Sequence, residues 1–118
     1  MPLLQINLTI PCMPKVVLEQ IHKLGAEILA EQIGKSIEYV MVLIRTGESI
    51  SFAKDNVSPC AYMEVKNVGE LSPNLTERLA SKLSTLIYEK LGVSPDRIYI
   101  EFQESARHLW GWNGKTFA

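Results

Sequence analysis

Alternation of apolar and polar side chains marks the start of the chain. Leucine and isoleucine occupy every second position of residues 2–10 (PLLQINLTI), which predicts a β-strand with one buried face. Pro14 suits the first turn of a following helix, and apolar residues recur at helical spacing over 17–29. Gly34 is typical of a helix C-cap. The continuous apolar run 39–44 (YVMVLI) then predicts a second, buried strand.

The second half of the chain repeats this order. A strand is predicted at 60–68 (CAYMEVKNV), after which Ser72 and Pro73 provide a helix N-cap and a proline at the first helical position. An apolar stripe at helical spacing follows: Leu75, Leu79, Leu83 and Leu86. Gly92 is predicted to end this helix, and 97–103 (RIYIEFQ) to form the last strand, with its apolar residues on one face.

Nearly equal spacing of matching features indicates an internal duplication. Gly34 and Gly92 are 58 residues apart, and Pro2 and Pro59 are 57 apart. The common order of strands, caps and prolines makes coincidence the weaker explanation. The predicted units are 2–58 and 59–118 of one domain, 1–118.

The predicted architecture is α/β, more strictly α+β. Two β-α-β units form a four-stranded mixed sheet, with both helices packed on one face. The other face then carries Tyr62, Val68 and Tyr99 among polar residues, and is too apolar to stay in water. We expect it to be buried against sister subunits. The aromatic tail 105–118 (SARHLWGWNGKTFA) is expected to dock on its own subunit or on a neighbour.

Composition narrows the class of protein. In 118 residues, twelve Lys and Arg stand against thirteen Asp and Glu, which argues against a dedicated nucleic-acid binder. No apolar run is long enough to span a membrane, and no signal peptide is recognised, so we expect a cytosolic protein without membrane partners. Two cysteines do not make a disulfide framework, and neither histidine has neighbours at metal-ligand spacing. Glycine-rich phosphate loops are missing from the sequence, which excludes nucleotide chemistry.

Pro2 is the most informative candidate for chemistry. Removal of the initiator methionine before a small residue would leave Pro2 with a free secondary amine. Apolar surroundings lower the pKa of such an amine, which would then be neutral near pH 7 and able to act as a general base. The alternative, more frequent for Met-Pro starts, is that Pro2 only begins an edge strand.

Further polar and aromatic residues are weaker candidates. Lys35, directly after Gly34, could hold a substrate carboxylate, although a cation at a helix C-terminus more often only complements the helix dipole. Tyr99 and Glu101 share one face of the last strand and form either a pocket wall or an exposed or interface pair. The tail aromatics could line a pocket, with packing as the commoner explanation: Trp110, Trp112 and Phe117.

Several motifs together resemble the macrophage migration inhibitory factor family of the tautomerase superfamily. The resemblance covers essentially the whole chain. It is carried by Met1-Pro2-Leu3, Gly34-Lys35, Ser51-Phe52, Pro59-Cys60-Ala61, Ser94-Pro95-Asp96-Arg97-Ile98-Tyr99-Ile100 and Gly111-Trp112-Asn113-Gly114-Lys115-Thr116-Phe117. The last two segments are the most specific.

The resemblance implies a homotrimer with three active sites at subunit interfaces and no cofactor. It implies keto–enol tautomerase activity on small keto acids like phenylpyruvate, in some members also on dopachrome derivatives. Pro2 would match the catalytic base and Lys35 the lysine that holds the substrate carboxylate. The other residues that it assigns to the substrate site are Val68, through its backbone, Tyr99, contributed across the interface, Glu101, and the apolar rim residues Trp110 and Phe117.

Two departures from the family pattern limit what carries over. Glu101 stands where the animal proteins usually have asparagine, which puts substrate range and pH response in doubt. Met63 replaces the second cysteine of the C-x-x-C motif, so the oxidoreductase activity proposed for the animal cytokine should not carry over. The competing class is a cytokine-like signalling or binding protein with a vestigial pocket, its receptor unknown, exported without a signal peptide as family relatives can be.

Overall fold

Six main elements build the fold in a computed structural model that describes residues 1–118. In chain order they are β1 (Pro2–Leu8), α1 (Lys15–Ile33), β2 (Met41–Arg45), β3 (Ala61–Val68), α2 (Pro73–Leu91) and β4 (Ile98–Ser105). A short hairpin follows, formed by β5 (Gly111–Trp112) and β6 (Lys115–Thr116). Short 3-10 turns precede β2, β4 and β5. No helix is both long and apolar enough to cross a membrane.

The four long strands form one mixed sheet in the order β2-β1-β3-β4. β1 is parallel to β2, β3 is parallel to β4, and the central β1 and β3 are antiparallel. Each half of the chain is therefore a β-α-β unit, as the sequence predicts, and the mixed four-stranded sheet is confirmed. The internal duplication itself stays a prediction.

Both helices pack on the same face of the sheet. α1 presents Ile21, Gly25 and Leu29 to the core, and α2 presents the predicted leucine stripe. On the sheet, every second residue of β1 and β3 is buried beneath them. Gly25 allows a close approach, because a Cβ there would lie 3.0 Å from Leu4 Cδ2.

Local sequence sets the helix ends. The side chain of Ser72 accepts a hydrogen bond from the Leu75 backbone N–H (3.3 Å), and Pro73 occupies the first position of α2. Gly34 and Gly92 end the helices in the left-handed conformation, with φ of 77° and 71°. Such angles strain any residue with a Cβ, which explains both glycines. Pro14 lies one residue before α1, at its N-cap, rather than inside the first turn.

Several strand boundaries differ from the predicted ones. β1 ends at Leu8 rather than at residue 10, and β4 runs to Ser105 rather than to residue 103. The predicted buried strand 39–44 is wrong in both place and burial. A 3-10 turn takes Ile37–Tyr39, and β2 is an edge strand on which Met41 is 65% exposed. Its apolar run therefore reflects one covered face and one open sheet edge, not a strand covered on both faces.

The helix-free face is confirmed as the side that carries Tyr62 and Tyr99, which lie opposite each other on β3 and β4. Glu64 and Glu101 form the next pair on the same face. Tyr99 is 66% exposed, so this face is open to water in the single chain. The aromatic tail, in contrast, docks on its own chain, where the ring of Trp112 packs edge-on against Tyr39 at 5.5 Å.

Candidate active site

The candidate site lies at one edge of the sheet. β3 and β4 are parallel and both end there, while the antiparallel β1 begins there. β2 is parallel to β1, so the segment that leads from α1 into β2 arrives at the same edge. Topology alone thus brings together the N-terminus, the end of α1 and the residues after β3 and β4.

A cavity of about 510 Å³ occupies this edge. Five of its lining residues come from four different parts of the chain: Met1, Lys35, Val68, Arg107 and Phe117. A second cavity of about 360 Å³ also borders Met1 and Phe117, and is lined further by Pro2, Trp110 and Trp112. The two cavities therefore bring together Pro2, Lys35, Val68, Trp110 and Phe117, five of the predicted site residues.

The N-terminus is electrostatically distinct. Burial lowers the pKa of the Met1 amine below its ordinary value of 8.0, and the nearby cation of Lys35 lowers that pKa further. Both causes act in the same direction because each disfavours a second positive charge at this point. An amine at this position is thus more readily neutral than an ordinary chain terminus.

Pro2 is buried at the start of β1, opposite Asn67 of β3. While Met1 is attached, the Pro2 nitrogen is an amide without basicity. The Met1 carbonyl accepts a hydrogen bond from the Val68 backbone N–H at 3.4 Å. This bond occupies a backbone donor at the wall of the larger cavity.

Lys35 owes its place to the end of α1. The backbone N–H groups of Gly34 and Lys35 both donate to the carbonyl of Ala30, at 3.0 and 3.1 Å. The chain then turns out of the helix and Lys35 lines the cavity. No carboxylate lies within ion-pair distance of its amine. Lys35 therefore lies at the helix C-terminus and also lines the cavity, and its binding of a substrate carboxylate stays a prediction.

The tail forms the aromatic wall. The backbone N–H of Phe117 donates to the carbonyls of Arg107 and Trp110, both at 3.2 Å. The rings of Trp112 and Phe117 stack with centroids 6.1 Å apart. Packing and pocket lining are therefore not alternatives here, because the same aromatic residues do both.

Tyr99 and Glu101 lie away from this cavity. Tyr99 lies on the strand row of Asn7, five residues from Pro2 along β1, which corresponds to roughly 17 Å at the usual rise per residue. Glu101 lies on the row of Gln5, roughly 10 Å from Pro2 along the strand direction, and β3 separates β4 from β1, which adds roughly 10 Å across the sheet. Tyr99 packs on Phe52 instead, with ring centroids 4.9 Å apart. One chain alone does not bring these two residues to its own site.

Sequence reasoning missed three residues at this edge. Tyr39 and Arg107 line the larger cavity, and Asn67 is buried opposite Pro2 with its Oδ1 unpartnered. The signal for Arg107 was topological, because a residue that directly follows a strand parallel to β3 must arrive at the edge where β3 ends. Asn67 was detectable as a polar residue in a core-facing position of β3.

Together the fold and cavity define a class: small proteins in which two β-α-β units bring the chain's N-terminus into a cationic, aromatic-lined cavity. The sequence model of the family described as macrophage migration inhibitory factor (MIF) matches residues 1–118. The chain belongs to this family.

Individual relatives agree with this assignment. The chain is 28% identical to macrophage migration inhibitory factor of Mus musculus over 120 residues, covering 100% of both chains. It is 30% identical to the homolog of Brugia malayi over 95 residues, covering 80% of this chain and 82% of the homolog. Among solved structures, the Prochlorococcus marinus homologue superimposes with a TM-score of 0.87 at 33% identity, covering 98% of this chain and 99% of the homologue.

Proposed function

We propose that the protein, once Met1 has been removed, is a cofactor-independent keto–enol tautomerase of phenylpyruvate-like acids with Pro2 as the general base. The observation that carries this proposal is an N-terminal amine of lowered pKa beside Lys35 in a cavity. Family membership supports a tautomerase or a cytokine-like function, and the amine favours the former.

Removal of Met1 changes two groups at once. The Pro2 nitrogen becomes a secondary amine at the place where burial and Lys35 both disfavour a positive charge. The Val68 N–H loses its acceptor, the Met1 carbonyl, and becomes a free donor at the cavity wall. The processed site would therefore hold a base and, in Lys35 and Val68, two donors for an anionic substrate.

These groups suffice for proton transfer between carbon and oxygen. With the substrate carboxylate on Lys35, neutral Pro2 removes a proton from the carbon next to the keto group. The C–H electron pair forms the enolate, and the Pro2 ammonium gives its proton to the enolate oxygen, which completes the enol and restores the neutral amine. In the reverse direction Pro2 takes the proton of the enol O–H and delivers it to carbon. General acid–base catalysis by such a group contributes roughly 10²–10⁴-fold.

Tyr99 and Glu101 enter this proposal through a second copy of the chain. They lie on an exposed face, offset from the chain's own Pro2 by roughly 10–17 Å along the strands and by roughly 10 Å across the sheet. In the homotrimer that we propose, Tyr99 and Glu101 contribute to the site of the adjacent subunit. This explains why an aromatic face is open in the single chain.

The direct test is conversion of enol-phenylpyruvate to the keto form by protein whose N-terminus is shown by mass spectrometry to be Pro2. Lys35→Gln should raise KM about tenfold through loss of a charged hydrogen bond to the carboxylate. It should also raise the pKa of the Pro2 amine, because a neighbouring cation is removed. Lys23→Gln is the matched control, since Lys23 lies exposed on α1 and lines neither cavity.

Two results would contradict the proposal. Absence of turnover by folded, processed protein would favour the cytokine-like alternative with a vestigial pocket. Equal kinetics of Lys35→Gln and Lys23→Gln would remove Lys35 from substrate binding.

A further inference from the structure

Two cations line the larger cavity, and the proposed reaction uses only one of them. Besides Lys35, the cavity is lined by Arg107, and no Asp or Glu belongs to its wall. Neither cation forms an ion pair with the protein: the three ion pairs are Lys15–Glu19, Glu64–Lys66 and Asp55–Arg97. Of these two adjoining cavities, only the smaller has an acidic lining residue, Glu38. The larger cavity thus has an excess of two positive charges.

One hydrogen bond orients the exposed side chain of Arg107. Its Nε donates to the Phe117 carbonyl at 2.7 Å, and its own carbonyl accepts the backbone N–H groups of Trp110 and Phe117 at 3.4 and 3.2 Å. The two terminal guanidinium nitrogens have no protein acceptor. An arginine fixed through Nε keeps its planar fork free for a second, bidentate partner, and a carboxylate matches that geometry.

We infer that the preferred substrate is a keto acid with a second carboxylate at its far end, which Arg107 binds while Lys35 holds the carboxylate next to the keto group. This inference rests on the proposed function. A substrate with one carboxylate neutralises one of the two cations, whereas a dianion neutralises both. The cavity volume of about 510 Å³ lies within the usual range for small-molecule sites and accommodates an aromatic keto diacid.

A purely structural role for Arg107 predicts a different outcome. Because Arg107 is hydrogen-bonded to Phe117, its loss would loosen the aromatic wall and weaken the binding of every substrate equally. If Arg107 instead recognises a second carboxylate, its loss would weaken the binding only of substrates that carry one. The ratio of kcat/KM for two acids that differ in that group alone therefore separates the two roles.

The matched substrates are phenylpyruvate and 4-carboxyphenylpyruvate, assayed with processed protein. The wild-type protein should favour the diacid about tenfold, as expected for one charged hydrogen-bonding pair at a partly open site. Arg107→Gln should lose most of this preference, and Arg107→Lys, which keeps the charge without the fork, should retain part of it. Arg78→Gln is the control, because Arg78 is exposed and its side chain bonds only to Gln32 (3.3 Å) between the helices.

Two results would overturn the inference. One is a wild-type protein that prefers the monoacid, and the other is an Arg107→Gln variant in which kcat/KM falls equally for both acids. Calorimetric binding of phenylacetate and 4-carboxyphenylacetate, which lack the keto group, separates this inference from the proposed function. Tighter, Arg107-dependent binding of the diacid without any turnover would support recognition of a second carboxylate by Arg107 and refute the tautomerase. Turnover of phenylpyruvate without any diacid preference would support the tautomerase and overturn the inference.

Discussion

Arg97 holds the loop 46–60 against the start of β4, and its replacement by glutamine is the most informative test of the fold. Its guanidinium donates to four backbone carbonyls, at 3.1–3.3 Å: those of Phe52, Asp55, Ser58 and Pro59. The Arg97 side chain is only 16% exposed, and it also lies over the Phe52 ring, 5.6 Å from the centroid. Glutamine is too short and has too few donors to replace this set.

The expected loss follows from these contacts. Hydrogen bonds to a charged donor contribute about 1.5–3 kcal/mol each when buried, but they are not additive, and the partly exposed carbonyls here regain water. We expect Arg97→Gln to lower the free energy of unfolding by about 2–4 kcal/mol. For a chain of this length that corresponds to roughly 4 °C in Tm per kcal/mol. Because Phe52 packs on Tyr99, the same substitution should reduce any contribution of Tyr99 to a neighbouring site.

The assay is guanidinium chloride unfolding at fixed protein concentration, combined with limited trypsin digestion. Lys54 lies in this loop, in a left-handed conformation (φ 66°). Because trypsin cleaves after lysine, cleavage after Lys54 reports release of the loop. Arg78→Gln, which removes a single exposed hydrogen bond, should change stability by less than 1 kcal/mol. If Arg97→Gln were as stable and as protease-resistant as Arg78→Gln, the loop would be held by its own turn rather than by Arg97.

Three further outcomes follow from the structure. Light scattering should give about three times the chain mass of 13.3 kDa, because the helix-free face is aromatic and open in the single chain. A monomer at micromolar concentration would contradict the shared site. Asn67→Leu should stabilise the protein by about 1–2 kcal/mol, since the substitution removes a buried Oδ1 that has no hydrogen-bond partner; a lower Tm would show that the amide is satisfied in solution. Hydrogen bonds from Ser58 and Val57, with a smaller contribution from Arg97, lower the pKa of Asp55 to about 2 from 3.8. The ionised carboxylate therefore stabilises the folded state above pH 3.8, and the stability advantage of the wild type over Asp55→Asn should disappear as the pH falls from about 4 to about 2, as measured by urea unfolding.

The fold was largely predictable because its signals are local. Alternation in β1, the leucine stripe of α2 and the glycine caps each depend on a few neighbouring residues, and each appears in the structure. The prediction of a buried strand at 39–44 was wrong for a physical reason. An apolar run records that side chains are covered, but whether a strand has a neighbour on both edges depends on the order of strands in the sheet.

The site was predictable only in part, because its residues meet through topology. Pro2 and Lys35 could be identified from their local context, a chain start and a helix end. Arg107 has no such local signal, since its position matters only once β3 and β4 are known to end beside the start of β1. Any contribution of Tyr99 to a site requires a second copy of the chain, and one sequence carries no direct pattern for such a copy.

The central claim is that a free Pro2 amine is the base, and the most direct measurement compares protein that retains Met1 with protein that lacks it. Circular dichroism should show the same fold for both forms, since Met1 precedes β1. The processed form should tautomerise phenylpyruvate, and Pro2→Ala, which keeps a primary amine, should lose part of the roughly 10²–10⁴-fold contribution of the base. The Met1-retaining form should be inactive, because its Pro2 nitrogen is an amide and the Met1 carbonyl occupies the Val68 N–H. Equal turnover by the two forms would show that Pro2 is not the base.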